Sequence, residues 1–91
     1  MATQPSPQFV ESFYLENRSE RPIKLVVEHQ PLIFMLPPGE EFNVTLSGSQ
    51  KGTFGFAVYN SNVTLEPWPR SVVSILHKGV ELAGPYDTGQ N

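Results

Sequence analysis

A chain of 91 residues, 38% hydrophobic with six Phe, three Tyr and one Trp, supports a single small domain around one core. It contains no cysteine, which excludes disulfides, thiolate metal centres and cysteine nucleophiles together. The formal charge is −3, and Arg18, Arg21, Lys24, Lys51, Arg70 and Lys78 are dispersed, so no basic stripe suits nucleic acid.

Residues 1–8 read as a flexible segment. MATQPSPQF has neither a positive n-region nor an apolar h-region, so it is not a signal peptide, and the expected location is cytoplasmic. No apolar run approaches the roughly 20 residues that span a bilayer, so no membrane association is expected. Asn17-Arg18-Ser19, Asn43-Val44-Thr45 and Asn62-Val63-Thr64 match a glycosylation pattern, but without a secretory route they are polar strand and turn residues.

From Phe9 onward the chain reads as short strands. Phe9, Phe13 and Leu15 share one parity with Glu11, against Ser12, Tyr14 and Glu16. Asn17–Pro22 is a polar connection. Ile23, Leu25 and Val27 then alternate with Lys24, Val26 and Glu28. A second apolar run, Leu32–Leu36, follows after Glu28-His29-Gln30-Pro31. Leu36-Pro37-Pro38-Gly39 makes a rigid corner, because the paired prolines fix φ and Gly39 accepts φ > 0. In Glu41–Leu46, Phe42, Val44 and Leu46 face inward while Glu41, Asn43 and Thr45 face water.

Ser47–Gly52 is a flexible loop, after which Phe54, Phe56 and Val58 form an inward set opposite Gly55, Ala57 and Tyr59. Asn60-Ser61-Asn62 is a tight turn, and Pro67-Trp68-Pro69 must lie at an edge or outside a ladder. His77-Lys78-Gly79 suits a hairpin joining Val72–Leu76 to Val80–Leu82, and residues 83–91 read as a frayed tail. With nine prolines and seven glycines, no window is long enough for a helix. The pattern predicts one all-β domain over residues 9–82. It is expected to be a small antiparallel β-sandwich (Ig-like or jelly-roll-like) of seven or eight short strands, with a small barrel as the alternative.

Catalytic constellations are missing. There is no GxSxG, HExxH, GxGxxG or P-loop, and Glu40-Glu41 are strand neighbours that point to opposite faces. His29 and His77, with Glu28, Glu66 or Glu81 as a third ligand, are the one conceivable copper or zinc set; against it stands the absence of any ligand spacing motif. Trp68, framed by prolines and followed by Arg70, is of the residue types enriched at binding hot spots, though a lone Trp in a small domain also serves to cap a core. Tyr59 and Tyr14 extend such a surface if they face outward, and all three rings on one face would make a carbohydrate platform. Open sheet edges offer a further route, by pairing with another chain or by homodimer formation.

Asn17-Arg18-Ser19, Pro22-Ile23-Lys24-Leu25-Val26-Val27-Glu28 and Leu36-Pro37-Pro38-Gly39-Glu40 resemble a type of small, uncharacterised bacterial all-β protein. These share N-R-[ST]…P-x-x-L-V-V-E and L-P-P-G stretches. Leu76–Leu82 is similar to their closing hairpin, whereas His29-Gln30-Pro31 stands where those chains often carry Pro-Trp-Gly. The resemblance implies a compact β fold and brings no activity with it.

The sequence therefore points to a non-enzymatic binding or assembly module that needs no cofactor. Trp68, Arg70 and Tyr59 are its expected contact residues, and Glu28 with His29 form a second patch. A protein partner or a second copy is the expected ligand. A metal site on His29 and His77, or a carbohydrate face, is the alternative.

Overall fold

The computed structural model describes residues 8–28 and 31–87, and the side chains of 8–28 and 31–82. Eight strands form two four-stranded sheets packed as a sandwich, with no helix among the described residues. Strands β1 (Phe9–Glu16), β4 (Glu41–Gly48), β7 (Val72–His77) and β8 (Val80–Asp87) make sheet A, in the order β1-β4-β7-β8. Strands β3 (Leu32–Leu36), β2 (Ile23–Val27), β6 (Asn62–Glu66) and β5 (Gly55–Tyr59) make sheet B, in the order β3-β2-β6-β5. Two separate sheets replace the barrel alternative.

Sheet A is wholly antiparallel, whereas sheet B is mixed, because β2 and β6 run parallel. The reason lies in the path of the chain. After the β2–β3 hairpin it crosses to sheet A, runs β4, and returns as the β5–β6 hairpin, so β6 arrives in the direction of β2. Each of the four sheet-to-sheet crossings falls on a corner rich in Pro, Gly or polar residues: 17–22, 37–40, 49–54 and 67–71. The first two lie at one end of the sandwich and the last two at the other, as the strand registers require.

Alternation places the core. Leu25, Val27, Leu36, Phe42, Val44, Leu46, Val63, Leu65, Val73 and Ile75 are buried between the sheets. Removing each such side chain from water contributes about 1.5–3 kcal/mol. On the outer face of sheet A, Ser12, Thr45 and Ser74 form a polar row, with a 3.2 Å hydroxyl contact between Ser12 and Thr45. The outer face of sheet B carries instead the row Ile33, Val26, Thr64 and Ala57.

Each end is pinned by one residue. At the first, Asn17 is fully buried and its amide is satisfied on both sides. Its Nδ2 donates to the carbonyls of Arg21 (2.8 Å) and Leu36 (3.0 Å), and its Oδ1 accepts from the N–H (2.9 Å) and hydroxyl (2.7 Å) of Ser19. Its backbone N–H donates to Glu40 O and its carbonyl accepts from Gly39 N. The β1–β2 connection is thereby tied to the β3–β4 corner. A buried side chain already engaged in four hydrogen bonds cannot serve as a glycosylation acceptor.

At the second end, Trp68 is only 3% exposed. Its ring lies so close to Gly52 that a methyl group there would fall 2.3 Å from Cγ. The carbonyl of Trp68 accepts from Ser71 N (3.1 Å) and Ser71 Oγ (2.6 Å), closing a turn with Arg70 at φ 65°.

Two further expectations are corrected. Strand β8 continues to Asp87, with Tyr86 opposite Val73 and Asp87 opposite Val72, so residues 83–87 belong to the sheet; residues 88–91 lie outside the described residues. Pro85 is accommodated because β8 is an edge strand. The inward parity of Phe56 and Val58 is right, since they stand opposite Leu65 and Val63, yet they are 47% and 70% exposed. Strand β5 is the edge of its sheet, and sheet A does not cover it fully.

Candidate apolar cleft and the edge of β5

The uncovered part of the core forms a cleft of about 450 Å³ where β1 and β5 flank the opening of the sandwich. Phe13 and Leu15 reach it from β1, Phe56 and Val58 from β5, Phe54 from the preceding loop and Val63 from the floor; Tyr14 borders it. Phe13 is the keystone, stacked on Phe54 (centroids 5.3 Å, 12° between planes) and edge-on to Phe56 (5.2 Å, 85°). Phe54 and Phe56 meet edge-on in turn. Such ring pairs favour this geometry because a positive ring edge meets a negative ring face. No lining side chain is charged, so the cleft is suited to apolar surface.

The edge beside the cleft is unguarded. Edge strands ordinarily carry charge, proline or bulges that deter pairing. Strand β1 carries Glu11 on its inward parity and Glu16 on the outward one, and β8 carries Glu81, Pro85 and Asp87. In sheet B, β3 (LIFML) is bracketed by Pro31 and Pro37, but β5 (GFAVY) has neither charge nor proline in or beside it. The two-residue loop Asn60-Ser61, with Asn60 at φ 50°, sets Tyr59 opposite Asn62 as the closing pair of the hairpin. In such a hairpin the closing pair exchanges backbone hydrogen bonds. Residues 55, 57 and 59 therefore direct their backbone groups at β6, while those of Phe56 and Val58 point out from the edge.

The residues singled out from the sequence do not form one patch. Trp68 is a core cap, because Gly52 leaves room for its ring to fold inward, and it presents no face to a partner. Arg70 is exposed beside it, but Tyr59, 63% exposed, lies at the opposite end of the sandwich, on the outer face of sheet B. Glu28 is half-buried at the Trp68 end, where its N–H donates to Leu65 O (2.9 Å). His29 lies outside the described residues; Val27 and Leu32, the strand ends on either side of it, stand at the opposite end from His77. Tyr14 belongs to sheet A and Tyr59 to sheet B, so with Trp68 buried the three rings do not line a carbohydrate face.

His77 has another role. Its Nε2 contacts Glu40 Oε1, and Lys78 Nζ lies 3.3 Å from Glu40 Oε2, which ties the β7–β8 hairpin to the β3–β4 corner. The imidazole also stands edge-on to Phe42 (5.4 Å). Lys78 and Gly79, at φ 54° and 78°, form the two-residue turn that aims the lysine. The hydrogen bond from His77 holds the Glu40 carboxyl below its usual range; partial burial opposes it, and Lys78 adds to the lowering.

The linkage has a definite sign. A depressed carboxylate pKa stabilises the fold above the unfolded value, near 4.5, and that contribution is lost as pH falls through the folded value. Glu40→Gln is therefore expected to be less stable than the parent above pH 4.5, with the difference closing below it. Urea melts at pH 7, 4.5 and 3 measure this, and an undiminished difference at pH 3 would contradict it.

Among the described residues, no helix is long and apolar enough to cross a membrane, and no group of three His, Cys, Asp or Glu side chains is placed to hold a metal ion. No protein-family model, curated protein or solved structure matches this chain.

Proposed function

We propose that this protein is a non-enzymatic interaction module that takes up an extended apolar strand of a protein partner along β5, over the β1–β5 cleft. One observation carries the reading: an edge strand without charge or proline lies directly beside an uncovered, uncharged and mainly apolar part of the core. In strand addition, backbone hydrogen bonds supply affinity and alternate side chains entering an apolar pocket supply selectivity. Phe56 and Val58 meet both needs, since their backbone groups point outward and their side chains line the cleft. The non-enzymatic part rests on the sequence, which lacks the spacings of hydrolase, metalloprotease and nucleotide sites.

A fluorescent peptide with the sequence of residues 53–60, TFGFAVYN, is a suitable probe, because its alternating apolar residues match the cleft. Anisotropy at sub-micromolar protein is expected to show saturable binding. Val58→Lys, which places a charge on the edge, should weaken it at least tenfold, and Ile33→Lys on the far edge should leave it unchanged. Absence of saturation where the protein is monomeric, or equal loss in both variants, would overturn the reading.

A further inference from the structure

Resting on the strand-uptake reading, we infer that the strand β5 accepts is β5 of a second copy of this chain, paired antiparallel about a two-fold axis at Ala57. Charge selects this edge over the others. In a chain of net charge −3, self-pairing at β1 gathers the carboxylates of Glu11 and Glu16 from both copies, and at β8 those of Glu81 and Asp87. The prolines at 31 and 37 bracket β3, and its inward Phe34 and Leu36 are already packed in the core. Only β5 combines a neutral edge with an uncovered inward face.

The strand is also complementary to itself. With Ala57 on the axis, Phe56 stands opposite the partner's Val58 and Tyr59 opposite the partner's Gly55. The first is an aromatic–β-branched pair, which stabilises antiparallel strands. The second lays a tyrosine ring over a glycine, a pairing that compensates for the missing side chain. Hydrogen-bond parity agrees. Phe56 and Val58 have the outward-pointing backbone groups, and in this register they become the hydrogen-bonded pairs, leaving the Ala57 pair non-hydrogen-bonded.

The axis is perpendicular to sheet B, so both copies of sheet A lie on the same side and the two clefts join around four side chains, Phe56 and Val58 from each copy. The outer row Ile33, Val26, Thr64 and Ala57 continues into its symmetry mate across an eight-stranded sheet. Because the contact is isologous, it closes as a dimer and does not propagate into a filament.

The absence of cysteine makes the test direct. Ala57→Cys places one thiol on the axis, at a pair whose Cα atoms lie about 4.5 Å apart, within disulfide reach of roughly 4.4–6.8 Å. Mild oxidation is expected to give a covalent dimer from Ala57→Cys and none from Ser12→Cys on β1. Light scattering of the parent should give twice the chain mass, and Val58→Lys should give the single-chain mass while keeping a cooperative thermal melt, Val58 being 70% exposed; the parent's melt should fall towards that of the variant on dilution. A parent that is monomeric at every concentration, or a crosslink formed through Ser12→Cys instead, would overturn the inference. A monomer that still binds the TFGFAVYN peptide ends self-pairing and leaves strand uptake standing; a monomer that binds no peptide ends both.

Discussion

Trp68→Ala is expected to remove about 3–5 kcal/mol of stability, the usual cost of deleting a buried Trp or Phe side chain. A domain of this size has roughly 0.05–0.15 kcal/mol per residue to lose, so the variant will be largely unfolded if the parent lies near the lower bound. Gly52→Ala should approach the same loss by another route. The new methyl would meet the Cγ and Cβ of Trp68 at 2.3 and 2.4 Å, and a Cβ cannot swing aside without moving the backbone. The indole must leave the core. The two effects are therefore partly one effect: in the Trp68→Ala background the clash with the ring is gone while the Cβ of residue 68 stays, so Gly52→Ala should cost less than in the parent, a non-additivity of about 0.5–3 kcal/mol in a double-mutant cycle. Urea melts of the four proteins measure it, and additive losses would show that Gly52 does not act through the ring.

Asn17→Ala should cost about 2–3 kcal/mol, because leaving a buried polar group unpaired costs roughly 1–3 kcal/mol each. The buried carbonyl of Leu36 loses its donor and the N–H of Ser19 loses its acceptor, whereas the carbonyl of Arg21 keeps the Ser19 hydroxyl at 2.9 Å. Asn17→Asp keeps the shape but aims a carboxylate at two carbonyl oxygens. It should be at least as damaging at pH 7, and it should recover relative to Asn17→Ala as pH falls, since protonation restores one donor. A loss below 1 kcal/mol for Asn17→Ala would mean that the two corners hold together without this residue.

The strands were legible because each carries its own alternation. Phe42, Val44 and Leu46 in β4 state which face is buried regardless of what lies opposite. Asn17 was not legible as a pin. In sequence it is one more polar turn residue, and every group it binds outside its own turn is a backbone atom, whose presence no side chain announces. The pairing of Asn17 with Leu36 nonetheless explains physically why an N-R-S stretch and an L-P-P-G corner work together in this chain: one supplies the donor and the other the carbonyl. Trp68 carried both readings at once, and what decided between them was Gly52, one of several glycines in polar loops.

The cleft was half legible. The parity of Phe56 and Val58 followed from alternation, but whether a neighbouring sheet covers them depends on which strands form the two edges, and a strand carries no record of its partners. The uncharged composition of GFAVY was on the page from the start. It becomes informative only once β5 is known to be an edge, where the want of a charge is exceptional; at the centre of a sheet it would be ordinary.

The most direct test of pairing at β5 is hydrogen exchange at the amides of Phe56 and Val58, followed as the protein is diluted. Both point away from β6, so in an isolated chain they exchange like open edge amides, and paired with a second copy they are shielded. The account predicts slow exchange at high concentration, acceleration on dilution, and fast exchange at every concentration in Val58→Lys, while the amides of Ala57 and Tyr59 stay protected throughout. Fast exchange of Phe56 and Val58 in concentrated parent protein would contradict it.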